Sequence, residues 1–185
     1  MKNLQVKYMI LGFWLIAICS TTSAQIQNQD SDANEKTIIK STEGSEDHTT
    51  LLAALKAADL EEVLDSEGPF TVFAPSDKAF KKLPQGKITA LLKPGNKEAL
   101  KDLVSYHIVA GNLSAAKILK AMCRGRGTAT FTTVQGNKIT ASMKGLDIVL
   151  TDDFGNTAII TMADANQCNG VIHVIDRVIQ PKKIS

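Results

Sequence analysis

Near Gly127 the chain changes its periodicity, and that change limits the folds open to it more than any other feature. Upstream, apolar residues recur at three- and four-residue steps. Leu51, Leu52, Leu55 and Ala58 form one stripe, and Leu100, Leu103, Val104 and His107 another. Downstream, 128–134, 138–143, 147–151, 157–162 and 171–179 are rich in Thr, Ile and Val. Gln135-Gly136-Asn137, Lys144-Gly145 and Phe154-Gly155-Asn156 punctuate them as turns. Helices followed by a run of antiparallel hairpins predict an α+β domain.

Within the helical half, Thr49 or Thr50 is placed to cap the first helix, and Leu60, Val63 and Leu64 continue as a second that Gly68-Pro69 closes. A strand is expected over 70–73. Pro75 ends it, Ser76 caps a helical turn holding Ala79 and Phe80, and Asp77 sits near that turn's positive end. Further helices are predicted over 88–92, 99–108 and 115–122, with Gly111 stopping the second and Ser114 opening the third.

The first 24 residues read as an export signal: Lys2 and Lys7 precede an apolar run from Tyr8 to Ile18, and Thr22-Ser23-Ala24 supplies small residues before Gln25. The run is too short for a membrane-spanning helix, which needs about 20 apolar residues. Lipidation at Cys19 is disfavoured by Ile18, where a small residue is wanted. The expected location is extracellular, or periplasmic or surface-bound in a bacterium. Residues 25–45 are polar, with scattered Ile, and read as a flexible tether. The folded unit is then expected over 46–182, in one copy with no internal repeat.

Losing Lys2 and Lys7 reduces the 21 basic residues to 19, equal to the 19 acidic ones. That balance carries no footprint for nucleic acid or an anionic membrane. Two cysteines remain, Cys123 and Cys168. An even pair in an oxidising compartment favours a Cys123–Cys168 disulfide over two free thiols.

Reactive chemistry is sparse. There is no G-x-S-x-G elbow. Cys123 in MCRGRG could be activated by its arginines, but half a disulfide is the better account. His48, His107 and His173 lie more than 50 residues apart without H-E-x-x-H or C-x-x-C spacing, so no metal or cofactor is expected. Asp152-Asp153-Phe154-Gly155-Asn156 lacks the alternating acids of a calcium loop and reads as a hairpin turn. Arg124-Gly125-Arg126-Gly127 reads as a solvated cationic turn. Asn112-Leu113-Ser114 fits a glycosylation sequon that matters only in a eukaryotic secretory pathway.

Three landmarks remain: FTVFAPSDKAF (70–80), Tyr106-His107, and NGVIHVIDRVIQP (169–181). In order and spacing they resemble the two boxes and intervening Tyr-His motif of the fasciclin-like domain, an extracellular adhesion module. The resemblance implies a wedge-shaped β-sandwich or open barrel with helices packed along one edge. It also implies that Tyr106-His107, flanked by Leu103, Val104, Ile108 and Val109, corresponds to a motif implicated in integrin binding. Apolar flanks bury such a pair, so His107 is read first as a hydrogen-bonded core group.

Asp164 matches the Asp of the family's Asp-Ile pair, but Ala165 replaces the Ile. In the last box Val171, His173 and Ile175 face one side of a strand and Ile172 and Val174 the other, as in a central strand covered on both faces. The leading expectation is a secreted, non-enzymatic adhesion module that binds a surface or matrix protein or polysaccharide. The runner-up is a carrier of a lipid or pigment in an apolar pocket between helices and sheet. A hydrolase is a distant third.

Overall fold

The computed structural model describes residues 36–66 and 68–182; the expected leader, Cys19 and the tether as far as residue 35 lie outside the described residues. The fold starts earlier than composition suggests. Helix α1 (Ile38–Glu43) is capped by the Thr37 hydroxyl, which accepts from the Lys40 N–H, and Ile38, Ile39 and Thr42 are buried. Part of the stretch expected to be a flexible tether is thus a helix packed on the fold. Two adjacent isoleucines, each worth roughly 1.5–3 kcal/mol when buried, outweigh the polarity of their neighbours.

Helices α2 (Thr49–Ala57) and α3 (Glu61–Asp65) follow. Neither Thr49 nor Thr50 caps α2. Asp77 does so from 27 and 28 residues away, its carboxylate accepting from the Thr50 N–H at 2.8 Å and the Thr49 hydroxyl at 2.6 Å. Strand β1 (Phe70–Pro75) leads to α4 (Asp77–Phe80), where the Ser76 hydroxyl accepts from the Ala79 N–H as expected. Then come α5 (Lys87–Leu91), a 3-10 turn (Pro94–Asn96) and α6 (Lys97–Ser105).

The helix expected to reach residue 108 stops at Ser105, and Ile108–Ala110 forms strand β2 instead. The helical stripe through Leu100, Leu103 and Val104 is real, but β-branched Ile108 and Val109 pair with Val72 and Thr71 of β1. After β2, Ser114 caps α7 (Ala115–Arg124). Strands β3 (Thr128–Thr132), β4 (Lys138–Lys144), β5 (Asp147–Thr151), β6 (Thr157–Gln167) and β7 (Gly170–Ile175) complete the chain.

The seven strands form one sheet in the order β2-β1-β7-β6-β5-β4-β3. The predicted antiparallel hairpins hold from β3 to β7, but β7 lies parallel to β1. A bridge between Val109 and Thr133, with the Val134 N–H donating to the Ile108 carbonyl at 2.9 Å, draws the two edges together. The result is a nearly closed mixed barrel with helices against it.

Two apolar clusters lie on opposite faces of β1 and β7. One joins Val72, Ala74 and Ile172 to the helices through Leu55, Leu64 and Leu103. The other joins Phe73 and Ile175 to Tyr106, Ile118, Ile139 and Leu150. The last box is thus a central strand covered on both faces, as its apolar side chains on both sides predict. Gly170 permits the close approach of β7 to β1: a Cβ there would sit 2.0 Å from the Phe70 carbonyl oxygen.

Candidate functional site

Tyr106 and His107 leave the end of α6 and turn inward; they are 0 % and 2 % exposed. The Tyr106 hydroxyl donates to the Lys138 carbonyl at 2.7 Å and accepts from the Asp153 N–H at 3.2 Å. Burial, followed by the charge of Asp153, pushes its phenol up from the ordinary value.

His107 Nε2 accepts from the Ile179 N–H at 3.3 Å, which assigns the ring proton to Nδ1, donating to the Leu103 carbonyl at 2.8 Å. Both ring nitrogens are committed to backbone. Burial pushes the imidazole pKa down to about 4, despite opposing effects from the Leu103 hydrogen bond and Asp152.

Beside this pair, buried Asp152 organises the turn after β5. Its carboxylate accepts from the Phe154, Asn156 and Gln180 N–H groups at 2.9, 2.8 and 3.0 Å, and from the Asn156 side-chain amide at 3.1 Å. The stretch that superficially suggests calcium oxygens is a hairpin turn whose first carboxylate is already bound by the chain.

Asp164 lies apart from Tyr106-His107, in an irregular stretch of β6 where the register shifts and its own φ is 61°. Its carboxylate accepts from the Ala115 N–H at 2.7 Å, at the positive end of α7. Its N–H donates to His173 Nδ1 at 3.1 Å, and His173 Nε2–H donates to the Leu113 carbonyl at 2.7 Å. His173 also stacks on Phe73, with ring centroids 5.7 Å apart, and its pKa is lowered chiefly by burial. The structure does not bring Asp164 together with the Tyr-His pair: each ties a different seam of the scaffold.

Cys123 and Cys168 are free and exposed, so the expected bridge is not formed. Cys123 lies in the last turn of α7, while Cys168 lies in the β6–β7 turn, its N–H donating to the Lys36 carbonyl. An even count says nothing about separation in space. Among the described residues, no three His, Cys, Asp or Glu side chains are grouped to hold a metal ion.

Sequence reading passed over Asn169. Its side-chain oxygen accepts from the Ile38 N–H at 2.9 Å, and its amide donates to the Leu64 and Ser66 carbonyls at 2.7 and 2.9 Å. One buried amide therefore joins α1, the end of α3 and the β6–β7 turn. Asn before Gly signals a turn, but nothing local announces partners more than a hundred residues away. Beside it lies a cleft of about 380 Å³ lined by Thr37, Asp65, Ser66, Pro69 and Cys168.

The fasciclin domain family model matches residues 46–181. This chain belongs to the fasciclin-domain family. A Synechocystis protein, sll1483, is 38 % identical over 162 residues, covering 88 % of this chain and 83 % of that protein. Human periostin is 33 % identical over 139 residues, covering 75 % of this chain but only 15 % of periostin. Immunogenic protein MPB70 of Mycobacterium bovis is 32 % identical, covering 72 % of this chain and 63 % of MPB70.

The fasciclin fold itself is matched by the solved FAS1 domain pair of the insect cell adhesion molecule Fasciclin I. That match has a TM-score of 0.69 at 18 % identity, covering 78 % of this chain and 51 % of that one. Within this fasciclin domain the two boxes form adjacent strands β1 and β7, and the Tyr-His motif is the plug beneath them. Among the described residues, no helix is long and apolar enough to cross a membrane.

Proposed function

We propose that the protein is a secreted, non-enzymatic adhesion module that binds a surface or matrix component through its outer face. The observation that carries this reading is how the motif side chains are used. Tyr106, His107, Asp164 and His173 are all hydrogen-bonded to backbone groups of the scaffold itself. Tyr106 and His107 support recognition by holding β2 and the loops above them in shape, because their side chains are covered. The likeness to a domain pair from a cell adhesion molecule supports the same reading. One module is expected to bind weakly, with strength coming from clustering.

The test is pull-down of the folded protein, lacking residues 1–24, against intact cells and extracellular polysaccharide, with native mass spectrometry of the same sample. Saturable retention supports the proposal. No retention, together with a co-purifying lipid or pigment, would favour a carrier. No retention with turnover of a generic ester or peptide would favour an enzyme.

A further inference from the structure

Charge balance over the whole chain conceals a local segregation. Residues 43–77 hold nine acidic side chains and one lysine; residues 78–97 hold Lys78, Lys81, Lys82, Lys87, Lys93 and Lys97 and no acid at all. These lysines lie on or just after α4, on α5, beside the 3-10 turn and at the start of α6, elements that follow one another along the chain. Five are exposed and Lys87 is partly so.

Neighbouring elements neutralise only part of the charge. Lys82 pairs with Asp176 and Lys97 with Asp59, while Lys87 reaches the Gln180 amide oxygen. Lys78, Lys81 and Lys93 make no ion pair among the described residues, and exposed Arg177 adjoins Lys82 through their shared Asp176.

We propose that this lysine edge is the binding surface for a linear anionic polysaccharide. The proposal rests on the adhesion reading and names its class of partner. Three observations select that partner. No large exposed hydrophobic residue lies within 78–97, so the edge has nothing to insert into a bilayer. Its one aromatic, Phe80, is buried, so it has no stacking platform for single-stranded nucleic acid. Separate ammonium groups on flexible stems, rather than rigid guanidinium forks, suit carboxylates or sulfates repeated along a chain.

The probe is immobilised dextran sulfate, with neutral dextran as control and the full mature chain in solution. With about four lysine contacts, affinity falls about 50-fold between 50 and 200 mM salt by counterion release. The combined variant Lys78→Glu, Lys81→Glu, Lys93→Glu is compared with Lys120→Glu, Lys138→Glu, Lys144→Glu, which changes net charge equally elsewhere on the surface. Thermal melts check that both variants fold. The first is expected to lose at least about 10-fold in affinity and the second less than about 2-fold, as for contacts that are local rather than set by net charge.

Equal losses in the two variants, or binding to phosphatidylglycerol vesicles but not to dextran sulfate, overturn the proposal. Salt-dependent self-association that accounts for all retention does so as well. Cell binding is measured in parallel to separate the two readings. Cell binding without dextran sulfate binding defeats the lysine edge and leaves the adhesion reading standing. Site-dependent dextran sulfate binding without retention on either cells or extracellular polysaccharide supports the edge and defeats that reading.

Discussion

Acidification from pH 7.5 to 4.5 tests the buried imidazole of His107 directly. In the folded chain its pKa is lowered to about 4 from an ordinary 6.5. The unfolded chain therefore takes up a proton across this window while the folded chain resists. Stability from this group is complete above pH 6.5 and lost progressively as pH falls towards 4. At pH 4.5 the loss is about 2–3 kcal/mol, or about 10 °C in Tm for a domain of this size.

His48 and His173 are lowered in the same direction, so they add to the slope. Asp77 is held below the ordinary carboxylate range: burial opposes its charge, but hydrogen bonds from Thr49 and Thr50 outweigh that. Its contribution is lost only at still lower pH. The assay is urea unfolding at pH 7.5, 6, 5 and 4.5 for the unmodified chain and His107→Asn. Asn keeps one donor and one acceptor without a titrating group. It is expected to lower stability at pH 7.5 by about 2 kcal/mol through lost volume, and to flatten the acid slope by at least half. An unchanged slope in the variant, or a flat profile in the unmodified chain, would refute the assignment.

Three further outcomes are expected. Asn169→Ala leaves the Ile38 N–H and two carbonyls without their partner and lowers stability by about 3 kcal/mol in denaturant unfolding; a loss under about 1 kcal/mol contradicts the clamp. A chain beginning at Gly44 lacks buried Ile38 and Ile39 and is expected to be at least about 3 kcal/mol less stable than one beginning at Lys36. Equal stability would show that α1 adds nothing to the fold. Alkylation of the chain lacking residues 1–24 in the absence of reductant is expected to add two labels, at Cys123 and Cys168, and labels that appear only after reduction would reinstate the bridge.

Local signals served well where the interaction they encode is itself local. Ser76 and Ser114 cap the helices they precede, since a hydroxyl needs only the N–H three residues on. Hairpin turns fell where Gly and Asn sit, and the burial of Tyr106 and His107 followed from their apolar flanks. Readings failed where a distant segment competed with the neighbours. Asp77 displaced the threonines as the cap of α2, β1 drew Ile108 and Val109 out of a helix, and Asn169 anchored Ile38 within a stretch whose composition looked disordered.

The amino-acid order alone determined the α+β class, the central strand of the last box and the family, because periodicity and short motifs are properties of neighbouring residues. Only the tertiary structure decided that Ile38 and Ile39 are buried, which groups satisfy Asp164 and Asn169, and that Lys82 meets Asp176 while Lys97 meets Asp59. Those outcomes depend on contacts between segments tens to more than a hundred residues apart, and the free energy of such contacts exists only once the chain has closed on itself.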